Sequence, residues 1–368
     1  MPTDDAVLSA GELGEQGVQL TRRHFSPTTG PNRVLERHGR IITDRFAPCG
    51  PLHRDVSADR GARFCGDRLR CPPRRSGLGY PERCVPELGS ILTAMVTPFD
   101  EDGRVDEEEA VRIMRHLVEH GSDGVVIAGS TGEAATLSDE EHLGLIELAV
   151  GELGGRATVV AGTGSNDTRH AIELTERATA LGVDATLSVT PYYVRPNRRG
   201  LVRHYEEVAR ATDKPVLLYN IPSRTGLDVP NELLAELGQI EHVDGVKQAN
   251  NDALALIDGL DVYAGNDDIF ARTLDIGGAG GISVASHIVG DEMRRMVDEP
   301  ARRAEIHAEL EDVFDDLFVT TNPIPVKAAL NLLGFAVGGL RLPLVEADEH
   351  EEAVVREMLE RHGLLAHA

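Results

Sequence analysis

From Ile91 onward the chain repeats one unit, a short and continuously apolar run followed by a longer amphipathic stretch. The runs "ILTAMVTPF" (91–99), "DGVVIAG" (123–129), "ATVVAGTG" (157–164) and "ATLSVTP" (185–191) read as strands. So do "KPVLLYN" (214–220), "HVDGVKQ" (242–248), "DVYAGN" (261–266) and "AGGISVA" (279–285), which makes eight. Helical stretches lie between them. "DEEEAVRIMRHLVEHG" (106–121), for example, carries acids in its first turn and stops at Gly121. Strands that are apolar at every position, rather than at alternate ones, belong to parallel sheets covered on both faces. Alternating β and α units leave a doubly wound open sheet or a closed barrel. Eight units favour the barrel, and no Gly-x-Gly-x-x-Gly opens a helix after the first strand, which argues against a dinucleotide fold. After residue 286 the alternation ends, and 286–298, 301–319, 323–334 and 346–362 read as helices only. The expected architecture is therefore a (β/α)8 TIM barrel over 88–285 with a C-terminal α-helical domain over 286–368.

Residues 1–87 have a different texture. They hold 14 arginines, no lysine and 11 acidic residues, with scattered Pro and Gly and no sustained apolar period. That pattern predicts a poorly ordered extension, or an over-long start with the working protein beginning near Val85. All four cysteines, Cys49, Cys65, Cys71 and Cys84, fall there. Their spacing lacks the Cys-x-x-Cys pair of a zinc site, so no metal is expected. The whole chain carries a formal net charge of −24, which argues against nucleic acid or an anionic membrane as partner. No apolar run is long enough to span a bilayer and no signal pattern opens the chain, so the expected location is the cytoplasm.

A barrel of this kind builds its site at the C-terminal ends of its strands. Those ends carry "GSTGEAAT" (129–136), "TPYY" (190–193), "YNIPSRTG" (219–226), Lys247 in "DGVKQANN", "GNDD" (265–268) and "GGISV" (280–284). Of 37 basic residues only three are lysines, Lys214, Lys247 and Lys327. A composition that has nearly eliminated lysine retains one at the end of an apolar strand. Arginine can supply charge there but not a nucleophilic amine, because its guanidinium stays protonated. Burial lowers the pKa of a lysine, and a neutral amine attacks a carbonyl to give a Schiff base. A tyrosine in the same basin can pass the protons that imine formation requires. "GSTGE" offers backbone N–H groups and two hydroxyls as an anion nest, and Arg224 offers a second anchor for a carboxylate. Each of these residues also has an ordinary structural use: a turn, a packed tyrosine, a surface arginine. Together they describe a lysine-dependent lyase or aldolase acting on a keto acid.

These pieces resemble the dihydrodipicolinate synthase and N-acetylneuraminate lyase superfamily. The resemblance covers 89–365 and rests on "GSTGEAATLS", "VTPYYVRPN", "YNIPSRTG", "GVKQ", "GNDD", "GGISV" and "NPIPVKAALNLLG" (322–334), in the family's order. It implies Lys247 as the lysine that forms an imine with pyruvate, with no other cofactor, and Tyr219 as proton donor and acceptor. Ser130 and Tyr193 would complete a hydroxyl relay, Tyr193 coming from a neighbouring subunit of a homotetramer, a dimer of dimers. Thr131 would bind the pyruvate carboxylate, with Ile282 and Gly265 also lining the substrate site. "PSRTG" resembles the synthase branch, in which Arg224 would meet the carboxylate of L-aspartate 4-semialdehyde. The branch implies a condensation in lysine (diaminopimelate) biosynthesis. The alternatives are a sialic-acid or 2-keto-3-deoxy-sugar-acid lyase, or a non-catalytic binding protein. Two departures stand out: Ser130-Thr131 where the synthases usually show two threonines, and "KQANN" after the lysine. The resemblance also maps an inhibitory lysine site onto Ala134, Ala135, Asp139, His142, Asn166, His170 and Tyr192. His170 stands where inhibited synthases place a glutamate, which predicts weak or absent inhibition by lysine.

Overall fold

The computed structural model describes residues 69–70 and 85–365. The expectations for residues 1–87, cysteines included, lie almost wholly outside them. Within that stretch, Leu69–Arg70 and Val85–Pro86 pair as two short antiparallel strands. Eight parallel strands then close into a barrel: β1 (Ile91–Ala94), β2 (Gly124–Ile127), β3 (Thr158–Gly162), β4 (Ala185–Val189), β5 (Val216–Asn220), β6 (Val243–Gln248), β7 (Asp261–Ala264) and β8 (Gly280–Ser283). Neighbours in sequence are neighbours in the sheet, and β8 pairs with β1 to complete the ring. The open-sheet alternative is thereby excluded.

The main helices of the outer layer are α1 (Glu107–Glu119), α2 (Asp139–Leu153), α3 (Thr168–Leu181), α4 (Arg198–Arg210), α5 (Asn231–Leu237) and α6 (Phe270–Asp275). Their starts follow local chemistry. Asp106 accepts the N–H of Glu109, and Ser138 with Glu141 closes a capping box at α2. Two apolar layers result. Ile91, Val125, Val159, Val216 and Val246 face the helices, whereas Leu92, Val126, Val160, Leu217, Tyr219, Tyr263 and Ile282 fill the barrel interior. Almost every strand position is buried, which is why the strands read as unbroken apolar runs.

Beyond β8 come α7 (Gly290–Asp298), α8 (Arg303–Glu309), α9 (Glu311–Asp316), α10 (Ile324–Leu332) and α11 (Glu349–Arg361). The apolar spacing over 301–319 predicts a single helix, but the chain breaks at Leu310, whose ψ of 0° ends one helix and opens the next while its side chain stays buried. Among the described residues no helix is long and apolar enough to cross a membrane.

Candidate active site

Lys247 is the penultimate residue of β6 and is 4% exposed. Register places it between Tyr219 on β5 and Tyr263 on β7. Its Nζ lies 4.5 Å from the centre of the Tyr219 ring. Among the described residues no hydrogen bond or ion pair holds that nitrogen. Burial pulls its pKa down to about 8; the field of Asp267 opposes the shift and that of Arg224 adds to it. Tyr219 is pushed the other way, to about 12, again by burial, with Arg224 and a hydrogen bond to Ser130 opposing. Near neutral pH the phenol is therefore protonated, with Ser130 as a neighbour that favours its ionised form. Strand register brings the lysine and the tyrosine together, and the loop after β2 adds the serine.

The "GSTGE" loop leaves β2 with Ala128 and Glu133 both in the left-handed region, at φ 54° each. Its N–H groups are partly committed. Those of Glu133 and Ala134 close back onto the carbonyls of Ser130 and Gly129. The expected nest is thus narrowed to the Ser130–Gly132 stretch. The loop runs into a short 3-10 turn, Ala134–Thr136, and α2 begins only at Asp139. Thr131 is buried, and its Oγ1 accepts a 2.9 Å hydrogen bond from Nδ2 of Asn322. Arg224 lies on a one-turn helix, Pro222–Thr225, and donates from Nη2 to the Asn322 carbonyl at 2.7 Å. Both candidate carboxylate anchors therefore meet the same residue.

Ile282 is buried on β8 beside Leu92 of β1. Gly265 follows β7, and its N–H bonds the Gln248 carbonyl at 2.7 Å. A Cβ at Gly265 would come within 2.7 Å of Ala249, so the close approach of these two strand ends requires glycine. Tyr193 does not enter this basin. It is 88% exposed, at φ 70°, on the loop after β4, beside the exposed Tyr192 and Val194.

The residues of the expected lysine site are partly gathered. Nε2 of His170 lies 3.0 Å from Asp139 and its Nδ1 lies 3.3 Å from Ser165 Oγ. His142 is buried and Nε2 donates to the Gly162 carbonyl at 2.7 Å, leaving Nδ1 as an acceptor. Asn166 is half-buried just ahead of α3, Ala135 is exposed on the 3-10 turn, and Tyr192 stands on the exposed loop after β4.

Several residues without an assigned role in the sequence reading prove central. Asp267 is buried at the end of β7, and its carboxylate accepts the N–H groups of Val284 (3.1 Å) and Ala285 (2.8 Å) past β8. Burial raises its pKa, against which these N–H groups and Lys247 act. Glu133 and Lys327 form a fully buried ion pair at 3.0 Å. The "KQANN" departure becomes a brace. Gln248 Oε1 accepts from Asn220 Nδ2 (3.1 Å) and from the Asn250 N–H (3.1 Å), while Asn251 bonds both Asp268 and Asn266. A rare lysine and an acid inside a glycine-rich loop were the available signals for the Lys327–Glu133 pair. Asn322 had none beyond its place in "NPIPVK". Among the described residues no group of three or more His, Cys, Asp or Glu side chains is placed to hold a metal ion.

The model of the dihydrodipicolinate synthetase family matches residues 87–362. The 4-hydroxy-tetrahydrodipicolinate synthase of Symbiobacterium thermophilum is 45% identical over 293 residues, covering 76% of this chain and 100% of that protein. The chloride-inhibited dihydrodipicolinate synthase of Acinetobacter baumannii, solved in complex with pyruvate, superposes with a TM-score of 0.73 at 36% identity, over 76% of this chain and 100% of the other. The enzyme of Cyanidioschyzon merolae, solved with lysine bound, gives a TM-score of 0.72 at 38% identity, over 76% and 99%. By its matched length, its identity and its barrel, the chain belongs to the dihydrodipicolinate synthetase family.

Proposed function

We propose that this protein is a 4-hydroxy-tetrahydrodipicolinate synthase, condensing pyruvate with L-aspartate 4-semialdehyde through an imine on Lys247. The observation that carries the reading is a buried lysine, bonded to no carboxylate among the described residues, 4.5 Å from the ring of a protonated tyrosine. The neutral amine attacks the keto carbon of pyruvate, and the carbonyl oxygen leaves as water after accepting protons. Loss of a methyl proton turns the imine into an enamine, whose carbon attacks the aldehyde. The amino group of the bound semialdehyde then displaces Lys247, closing the ring and returning the free amine. Tyr219 donates and accepts the protons, resupplied through Ser130 and through Tyr193 of a neighbouring subunit. That role suits the 88% exposure of Tyr193 in the single chain and favours the homotetramer.

Thr131 and the narrowed nest take the pyruvate carboxylate, with Ile282 and Gly265 shaping the pocket, and Arg224 takes the carboxylate of the semialdehyde. The imine nitrogen is itself the electron sink, so the scheme uses no cofactor. An acidic chain handling small anions fits a cytoplasmic enzyme. Reduction with borohydride in the presence of pyruvate tests the reading, because it fixes the imine as a stable mass increase. Wild type should gain one pyruvyl unit, and Lys247→Ala none. A Lys247→Ala protein that still gains the adduct would defeat the mechanism. Turnover with the semialdehyde and none with sialic acid or 2-keto-3-deoxy sugar acids separates the synthase from the lyases.

A further inference from the structure

We propose that Asn322 is a positioning residue that sets the geometry of both carboxylate anchors. The inference rests on the function proposed above. Asn322 is 6% exposed and lies just before α10, 191 residues from Thr131 and 98 from Arg224 in sequence. Its side-chain Nδ2 donates to Thr131 Oγ1 at 2.9 Å. Its main-chain carbonyl accepts Nη2 of Arg224 at 2.7 Å. The two contacts act differently. A hydroxyl that accepts a fixed amide proton has one lone pair occupied and its own proton free, so it presents a donor to whatever anion faces it. Without that amide, the Thr131 hydroxyl is free to rotate and to spend its proton on a backbone carbonyl. Arg224 has five N–H donors in a rigid fork, and one tied to a carbonyl leaves the rest oriented for a carboxylate.

The same segment grips the loop a second time. Lys327, five residues on, donates to Glu133 Oε1 at 3.0 Å and to the Thr97 carbonyl at 2.9 Å. Thr131 to Glu133 is thereby held at both ends by residues 322–327. An amide does not titrate, so the orientation of Thr131 is independent of pH. The C-terminal addition is then part of the substrate site rather than only a cover for the barrel.

Asn322→Ala removes the Nδ2 donor and keeps the carbonyl that holds Arg224. It should weaken pyruvate in the trapping assay by about 5- to 10-fold, the scale of one net hydrogen bond. The KM for the semialdehyde should change by less than about 2-fold, well under one lost hydrogen bond. Thr131→Val removes the acceptor. If the amide works through that hydroxyl, the double variant should lose no more pyruvate affinity than Thr131→Val alone. A merely structural residue would instead lower the affinity for both substrates and add its effect to that of Thr131→Val; either result overturns the assignment. Should Asn322→Ala fail to fold by circular dichroism, Asn322→Asp decides. It keeps the shape but sets an acceptor beside the substrate carboxylate, and unchanged pyruvate affinity in it overturns the proposal. Wild-type protein that traps no pyruvate would overturn the proposed function and this assignment with it. Trapping intact with unaltered affinity in Asn322→Ala would overturn the assignment alone.

Discussion

The buried state of Lys247 makes a quantitative prediction about pH. With a pKa near 8, half of the amine is neutral at pH 8. A solvated lysine at 10.5 would be only about 0.3% neutral there, so burial multiplies the reactive fraction by about 150. The initial rate of pyruvate capture should therefore rise with pH and level off above about 8, two or more units below an ordinary lysine. Timed samples quenched with excess borohydride fix the imine formed at each pH, and mass spectrometry counts the adduct. The same shift sets the sign of the stability effect. Between pH 8 and 10.5 the unfolded chain binds the proton and the folded protein does not. Stability therefore rises with pH through that window and is penalised below it. The penalty is on the order of 3 kcal/mol, from 1.36 kcal/mol per pKa unit. Lys247→Met should consequently be inactive yet more heat-stable than wild type near pH 7. A capture rate that keeps rising to about pH 10, or a methionine variant that melts earlier, would refute the account of a desolvated, unpaired amine.

Four further outcomes follow from the same geometry. Tyr219→Phe should lower kcat by about 10²-fold or more while leaving the heat stability of the barrel intact, as measured by steady-state rates and melting. Arg224→Ala should raise the KM for the semialdehyde far more than that for pyruvate; equal damage to both would remove Arg224 from the second substrate. Lys327→Met strands Glu133 as an uncompensated buried charge and should cost about 3–5 kcal/mol in a denaturant titration, whereas an unchanged midpoint would show the pair to be dispensable. L-Lysine should inhibit weakly, because Asp139, an acid of the expected site, is already engaged by His170. Half-inhibition below about 1 mM would contradict this, and His170→Glu should strengthen inhibition by about 10- to 150-fold, the worth of a charge-assisted hydrogen bond.

What could be read from the sequence was what local pattern encodes. Parallel strands are buried on both faces, so eight unbroken apolar runs declared the barrel, and the barrel rule then told which ends to inspect. Lys247 stood out because composition had removed almost every other lysine. Long-range pairing left no such trace. The Asn322–Thr131 and Lys327–Glu133 contacts join residues 191 and 194 positions apart, and no local period marks either partner. The break inside 301–319 is invisible to local pattern for a related reason. The apolar spacing there is helical throughout, and the break at Leu310 is set by tertiary packing rather than by a glycine or proline. "KQANN" stands out in sequence only as a departure from the family's pattern. Its amides instead brace the loops after β5, β6 and β7 against one another, which places their effect one layer behind Lys247.

The two buried lysines show how one fold gives the same side chain opposite fates. Lys327 spends all three of its protons, on the carbonyls of Thr97 and Gly339 and on the Glu133 carboxylate. An ammonium with every donor satisfied and a carboxylate in contact stays charged, even though burial works against it. Lys247 is buried as deeply, but it faces an aromatic ring, and its nearest acid, Asp267, has turned its oxygens to the N–H groups of Val284 and Ala285. Asp267 can therefore temper the field at Lys247 without binding the proton that must leave. Had that carboxylate reached Nζ, the amine would be held protonated and could not attack a carbonyl. Had it been absent, the strand ends of β7 and β8 would lose the acceptor that joins them. Reactivity at Lys247 thus depends on what its neighbours are already bonded to, and the charged lysine, through Glu133, holds the loop on which the substrate of the neutral one would rest.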